Sequence, residues 1–309
     1  MSRTGLIIVG SLNADLVVRT DRFPRPGETV RGTSLATLPG GKGANQAVAA
    51  ARLGGEVTMV GAVGDDPHGS LLCESLDSAG VDTSRVRRVA GAATGTAMIT
   101  VNEQGENTIV VSAGANGELS ATDVRSGDGF DGRAVLGLCL EVDLSVVTAA
   151  ASRGHDDGLT VLLNLSPYSE VPPELLAATD VLLVNEHEAA LLFGLSTDDA
   201  ADVHDADGIA RGLDGLHIPR AVVTRGSDGA TVFDHGTVTR VDARRIDPVD
   251  TTGCGDAFMG ALALRLARGD DLTEAARYAS AVGAFAATRE GAQSSYPTSD
   301  ELAEFTAGG

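Results

Sequence analysis

The stretch Gly253-Cys254-Gly255-Asp256 carries the clearest chemical signal in this 309-residue chain. Two glycines bracket a small residue just ahead of an apolar helical pattern, AFMGALALRLA. Unpaired N–H donors converge at such a helix start, where the helix dipole also favours an anion. The dipole alone contributes about 0.3–1 kcal/mol. A preorganised donor aimed at developing charge can be worth about 2.7–4 kcal/mol, so directed main-chain N–H groups would carry most of the anion affinity. Asp256 sits in the first turn; taken alone, it also reads as a favourable helix-start carboxylate.

A second glycine cluster, Gly40-Gly41-Lys42-Gly43-Ala44-Asn45, opens an alanine-rich helix and holds the only lysine beside 22 arginines. It is not a dinucleotide fingerprint, because Gln46 stands where the third glycine belongs, and not a Walker A loop, because Gly43 follows the lysine. Gly253 to Phe258 fails the dinucleotide test in the same way. Lysine is a compact charge on a slim stem and arginine a broad planar fork, so a slot between glycines would admit the first and exclude the second.

Further polar groups fall at the ends of expected strands, where open α/β sheets bind ligands. Asn13 and Asp15 follow the first strand and offer the paired hydrogen bonding that vicinal sugar hydroxyls require. Glu141 ends another strand; for all three, a rim or turn role is the plain alternative. Asn185 and Glu188, three apart, would share one side of a first helical turn, where Glu188 could order the water shell of a magnesium ion or simply cap the helix. Gly226-Ser227-Asp228-Gly229 is a tight turn after a strand and suits nucleotide phosphates, as it suits many ordinary strand ends.

The elements that must position these groups alternate regularly. Buried strands are expected at 6–9, 57–61, 135–140, 160–164, 181–184 and 221–224. Helices are expected at 44–53, 67–79, 144–153, 173–178, 186–193, 200–214, 256–268 and 273–288. This rhythm predicts an α/β fold: a doubly wound, mostly parallel sheet flanked by helices. Residues 14–38 and 94–112 break it with polar–apolar alternation, the second as a hairpin around NEQGEN. They are read as one small β-sheet lid on a single domain spanning 1–309. Its exposed strands suggest a homodimer through paired lids. The acidic stretch 198–207 lacks calcium-loop spacing and reads as a solvated helix start.

Composition bounds the rest. The net charge of −20 argues against nucleic acid or an anionic membrane as main partner. No run approaches the length of a membrane span. Three separated cysteines form neither a zinc motif nor a disulfide framework, which fits a reducing, cytoplasmic setting.

The two glycine clusters, with Asn13-Ala14-Asp15 and the late GAQSSYP, occur together and in order. On them the sequence resembles the PfkB carbohydrate kinases from Ile7 to about Pro297, and among these the branch that phosphorylates ribose. The resemblance implies transfer of phosphate from ATP to the 5-hydroxyl of D-ribose, with deoxyribose, nucleoside and ketohexose kinases as alternatives and a non-catalytic sugar sensor as a remoter one. It implies that Asp256 is the general base and that Gly253, Cys254, Gly255 and the Asp256 N–H form an anion hole. Asn13, Asp15, Gly41, Lys42, Asn45 and Glu141 would hold the sugar. Asn185, Thr224, the Gly226–Gly229 turn, Gly255 and Ser280 would hold ATP, with Glu188 near Mg2+ through water. Asp250, Thr252, Ala286, Arg289, Gly291 and Ser295 would ring a monovalent cation, K+. Cys254 replaces the usual alanine, and Ser280 the usual Asn or His near the adenine.

Overall fold

The computed structural model describes residues 4–125, 130–195 and 205–307. Its first strand, β1 (Gly5–Val9), shows why the sheet reads as continuous apolar runs. Leu6 and Ile8 enter one core, Ile7 and Val9 the other, because successive side chains of a strand point to opposite faces. A strand covered on both sides has no polar face to display.

Among the described residues the large sheet has nine strands. Seven of them, all parallel, run from one edge in the spatial order β5 (Asp82–Val89), β4 (Val57–Gly64), β1, β8 (Arg133–Cys139), β9 (Thr160–Asn164), β10 (Val181–Asn185) and β11 (Arg220–Thr224). Beyond β11 an antiparallel hairpin, β12 (Ala230–Asp234) and β13 (Thr237–Val241), closes one edge. One core lies under α1 (Lys42–Arg52), α2 (Pro67–Ser78), α8 (Cys254–Ala267) and α9 (Leu272–Ala286). The other lies under α3 (Ala121–Arg125), α4 (Leu144–Asp156), α5 (Pro173–Ala177), α6 (Glu186–Phe193) and α7 (Ala206–Gly215). A last helix, α10 (Ser299–Ala307), packs on α9, where Phe305 meets Phe285 edge-on.

The helix expected over 200–214 and the acidic stretch before it fall partly on 196–204, outside the described residues. Strands β5 and β13 carry no buried run long enough to announce themselves in the sequence; β12 is buried over its first four residues and is still not among the expected strands. β5 reads DTSRVRRV with exposed and half-buried positions mixed, as an edge strand should.

The two irregular segments do form one small sheet, in the order β3 (Gly32–Gly40), β2 (Asn13–Thr20), β6 (Gly95–Val101), β7 (Asn107–Ser112). β2 and β6 pair in parallel, joining the two excursions, while the outer pairs are antiparallel. Chain direction fixes where this sheet stands. It leaves the large sheet at the C-terminal end of β1 and returns at Gly40, directly before α1. From β1 the chain runs to β4 on one side, and from β8 to β9 on the other. The crevice between β1 and β8 is thus a topological switch point, the place where such sheets bind ligands. Among the described residues, no helix is long and apolar enough to cross a membrane, and all three cysteines are free thiols.

Candidate active site

At the switch point the two strand ends are tied together. Ser11 Oγ donates to Glu141 Oε2 at 2.6 Å, and the Lys42 N–H donates to the same oxygen at 3.0 Å. Asn13 Nδ2 reaches it at 3.5 Å. The glycine before Lys42 makes this possible. Gly41 takes φ +89°, and a Cβ there would lie 2.6 Å from the Asn13 nitrogen, so only glycine lets α1 begin against the start of β2. Asn116, buried in the turn after β7, fixes the exit of the small sheet. Its amide bonds Leu12 N and Leu12 O at 3.0 Å each and Asn13 Oδ1 at 2.8 Å.

Helix α8 brings the carboxylate. It packs on α1 with Gly260 against the Gln46 carbonyl and Ala49; a Cβ on Gly260 would fall 2.5 Å from that carbonyl. One turn earlier on α8, Asp256 therefore meets the first turn of α1. Asn45 Nδ2 donates to Asp256 Oδ2 and Gln46 Nε2 to Oδ1, both at 3.0 Å. The carboxylate does not fold back to cap its own helix, so the simple helix-start reading does not describe it. Burial pushes its carboxyl above the ordinary value, while Lys42, Asn45 and Gln46 pull it back. The Asp256 carboxylate in turn holds the Lys42 ammonium above its usual value, against the cost of burial, with help from Glu141. Burial, reinforced by Glu141 and Asp256, pushes Asp15 up to about 7. Asp15, Lys42, Asn45, Glu141 and Asp256 thus share one pocket.

The turn before α8 is an N-terminus with its N-cap, Gly253, in the left-handed region at φ 73°. Tyr296 Oη donates to the Gly253 carbonyl at 3.1 Å and braces the turn from behind. Not all the expected donors are free: the Cys254 N–H turns back to Thr251 O at 3.2 Å. The N–H groups of Gly255 and Asp256 have no carbonyl ahead of them in the helix, and a Cβ at Gly255 would meet nothing within 4 Å. Room and donors therefore coincide beside Asp256. Burial pushes the Cys254 thiol up to about 11, with Asp250 and Asp256 adding to it, so it is a neutral wall of the site rather than a thiolate.

The nucleotide residues lie at the neighbouring strand ends. Asn185 pairs in register with Thr224, and the Gly226–Asp228 turn follows at once. Asn185 and Glu188 form a reciprocal capping box: Asn185 Oδ1 accepts from Glu188 N at 2.8 Å, and Glu188 Oε2 from Asn185 N at 2.9 Å. The capping alternative is thus realised, although Glu188 is buried and close enough to Lys42 to act on its charge. Ser280 is half-buried on α9, one turn before Gly283, which faces the Cys254 carbonyl.

Residues expected around a cation are partly assembled. Asp250 accepts from Thr252 N and Gly291 N at 2.9 Å each. Burial pushes its carboxyl up, but these N–H groups and nearby Arg19 hold it below the usual range. Arg289 N donates to Ala286 O, and the buried Ser295 Oγ donates to Ala292 O. The expected set, one carboxylate with main-chain carbonyls, would be all oxygen and of low charge, which suits a large monovalent cation better than a divalent one. Among the described residues, no three His, Cys, Asp or Glu side chains are grouped to hold a metal ion. Magnesium would therefore depend on nucleotide phosphates and water. Sequence reasoning missed Ser11, Gln46, Asn116 and Gln293; the available signal was Gln46 itself, an amide set among alanines on a buried helix face.

Comparison with known proteins agrees with this geometry. Residues 3–299 match the pfkB family carbohydrate kinase. The chain is 36% identical over 304 residues to the ribokinase of Haemophilus influenzae, covering 98% of both chains. It is 35% identical over 302 residues to the deoxyribokinase of Salmonella typhi, covering 97% of this chain and 98% of that one. Its fold superposes on the Arabidopsis thaliana ribokinase complexed with ribose and ATP with a TM-score of 0.89, at 31% identity over 99% of each chain. A match that runs from the first strand to the last helix, through both glycine clusters, means that the chain belongs to the PfkB family of carbohydrate kinases.

Proposed function

We propose that the protein transfers the γ-phosphoryl group of ATP to the 5-hydroxyl of D-ribose. One observation carries this reading: the Asp256 carboxylate is buried at the start of α8, beside open main-chain donors and in electrostatic contact with Asp15, Lys42 and Glu141. Asp15 and Asn13, two apart on β2, face the sugar's vicinal hydroxyls. Lys42 and Asn45 orient its other end, so that the primary hydroxyl lies against Asp256. Asp256 takes the hydroxyl proton as the oxygen attacks. The N–H groups of Gly255 and Asp256, with Gly253 shaping the turn, stabilise charge on the transferring group. Asn185, Thr224, Ser280 and the Gly226–Gly229 turn hold the nucleotide. Glu188 would order water on Mg2+, and Asp250 with the carbonyls of Thr252, Ala286, Arg289 and Gly291 would hold K+. When bound, such ions would neutralise phosphate charge. Most of the rate comes from positioning and charge stabilisation.

The small sheet acts as a lid: β2 carries the sugar-binding Asn13 and Asp15, so its position decides whether the pocket is dry. Six of the nine exposed large hydrophobic side chains among the described residues lie on it: Leu35, Leu38, Met98, Ile109, Val110 and Val111. That surface supports a homodimer in which two lids cover each other.

Asp256→Asn keeps the shape and removes the base. We expect kcat to fall by about two to four orders of magnitude, with the fold intact by circular dichroism. Turnover near that of the wild type would refute the assignment. Because a deoxyribokinase is nearly as similar to this chain as the ribokinases, ribose and deoxyribose should be competed directly; ribose wins if Asp15 and Asn13 read both vicinal hydroxyls.

A further inference from the structure

We propose that Gln293 and Ser75 are positioning residues for the base: through Asn45 they fix which atoms face Asp256. The proposal rests on Asp256 being the base. The geometry is a chain of hydrogen bonds crossing four separate segments. Ser75 Oγ on α2 donates to Gln293 Oε1 at 2.7 Å. Gln293 Nε2 donates to Asn45 Oδ1 at 3.0 Å, and Asn45 Nδ2 donates to Asp256 Oδ2 at 3.0 Å. Asn45, Gln293 and Asp256 are each 6% exposed, so water does not substitute for the two links through Asn45; the Ser75 end is half-buried.

The direction of the chain follows from its end. An ionised carboxylate can only accept, so Asn45 must present its NH2 group. Its carbonyl then points away and needs a donor, which only the NH2 end of Gln293 supplies. The Gln293 carbonyl is left to take the Ser75 hydroxyl. Remove Gln293 and the Asn45 amide is oriented by Asp256 alone: its carbonyl is left buried without a donor, and turning over to relieve that would set its oxygen against that of Asp256. Gln46 shows the same preference: it gives its NH2 to Asp256 although its own Oε1 is then buried with no partner.

Gln293 is also well placed mechanically. It begins the short turn Gln293–Ser295 between α9 and α10. The same segment braces the anion-hole turn, through Gly291 N to Asp250 and Tyr296 Oη to Gly253 O. One segment thus holds the donors and the base in a common frame.

The test compares Gln293→Met, Ser75→Ala and Asp256→Asn with the wild-type full chain, using ribose and ATP. Gln293→Met should lower kcat by about 10- to 100-fold, the range for a hydrogen bond to a charged group, with the KM for ATP within about twofold. Its acid limb of kcat should move to higher pH, because a carboxylate that loses an N–H donor is protonated more readily. The other titratable or charged groups around Asp256 are Lys42 from α1, Asp15 from β2, Cys139 from β8, Glu141 just after it, Cys254 from α8 and Tyr296. All are unchanged in the variant. Ser75→Ala should shift the limb in the same direction by less, and it decides the matter if Gln293→Met does not fold. An acid limb that stays at its wild-type position, whatever happens to kcat, overturns the proposal. If Asp256→Asn retains turnover, the base assignment itself falls; if it is inactive while the limb stays fixed in both other variants, the relay alone is wrong.

Discussion

The pocket holds three carboxyl groups, Asp15, Glu141 and Asp256, against one ammonium, Lys42. Burial first, and then the two neighbouring carboxyls, push Asp15 up to about 7, so it takes up a proton near neutral pH. A protonated carboxyl cannot accept from two vicinal hydroxyls as well as a carboxylate can, so sugar binding must expel that proton. Linkage then fixes the magnitude. Below pH 7, the Kd for ribose should rise with acidification, approaching tenfold per unit, until Asp15 in the complex is itself protonated. From pH 7, where Asp15 is already half protonated, to pH 5.5 that is roughly 15-fold, or about 1.6 kcal/mol at 1.36 kcal/mol per unit. Calorimetry of ribose binding from pH 5.5 to 8.5, in two buffers of different ionisation enthalpy, measures the affinity and counts the protons released. Close to one proton should leave at pH 6 and few at pH 8.5. The same group acts oppositely on the unliganded fold. Its folded pKa lies above the ordinary carboxylate value, so its favourable contribution is present at low pH and is lost between about pH 4 and pH 7. Asp15→Asn should therefore raise the thermal midpoint more at pH 8 than at pH 5, while weakening and flattening the ribose affinity. A ribose Kd that is constant over this range, with no proton release, would refute the reasoning.

Three further outcomes are expected. Lys42→Arg should raise the sugar KM by roughly tenfold, about the value of one misplaced charged hydrogen bond, and an unchanged KM would remove the argument for a slim ammonium between glycines. Gly253→Ala forces a Cβ to 2.5 Å from Tyr296 Oη at φ 73°; denaturant unfolding should show a loss of about 1–3 kcal/mol, and kcat should fall by about 10²–10³. Val110→Asp, on the exposed face of β7, should convert a dimer into a monomer in sedimentation velocity; a wild-type chain that is already monomeric would end the lid-pairing proposal.

Burial on both faces is what made the central strands legible. Strands β1, β4, β8, β9, β10 and β11 are apolar runs bounded by turn residues. β5 and β13 are the edge strands of the sheet, with mixed exposure, so their sequences look like loops; β12 is buried over Ala230 to Phe233 but is a short run directly after the Gly226–Gly229 turn. The small sheet was visible as alternation, but the parallel pairing of β2 with β6 was not, because residues 13–20 and 95–101 meet only after β1, β4 and β5 are in place. The site divides in the same way. Charged residues at strand ends and glycines before helices announce themselves. Ser11, Gln46, Asn116 and Gln293 are neutral, and their partners are 32 to 248 residues away, so their roles exist only in the assembled fold.

The net charge of −20 looks hostile to a protein that handles ATP, and Lys42 does not resolve this by itself. Its ammonium is held by Asp256 and Glu141, so the resting pocket offers no surplus positive charge. What the phosphoryl group can meet is the start of α8, where N–H donors carry no counter-ion and need no reorganisation. At physiological ionic strength charges are screened beyond about 8 Å, so the remote acidic surface weighs little against donors in contact. The same arrangement treats the two sides of the reaction differently. On the proposed assignment, a neutral sugar would enter a pocket lined by carboxylates at little electrostatic cost, whereas its phosphate ester would bring two negative charges beside Asp256, Glu141 and Asp15. An acidic pocket with main-chain donors would therefore favour binding of the uncharged sugar and release of the phosphorylated one.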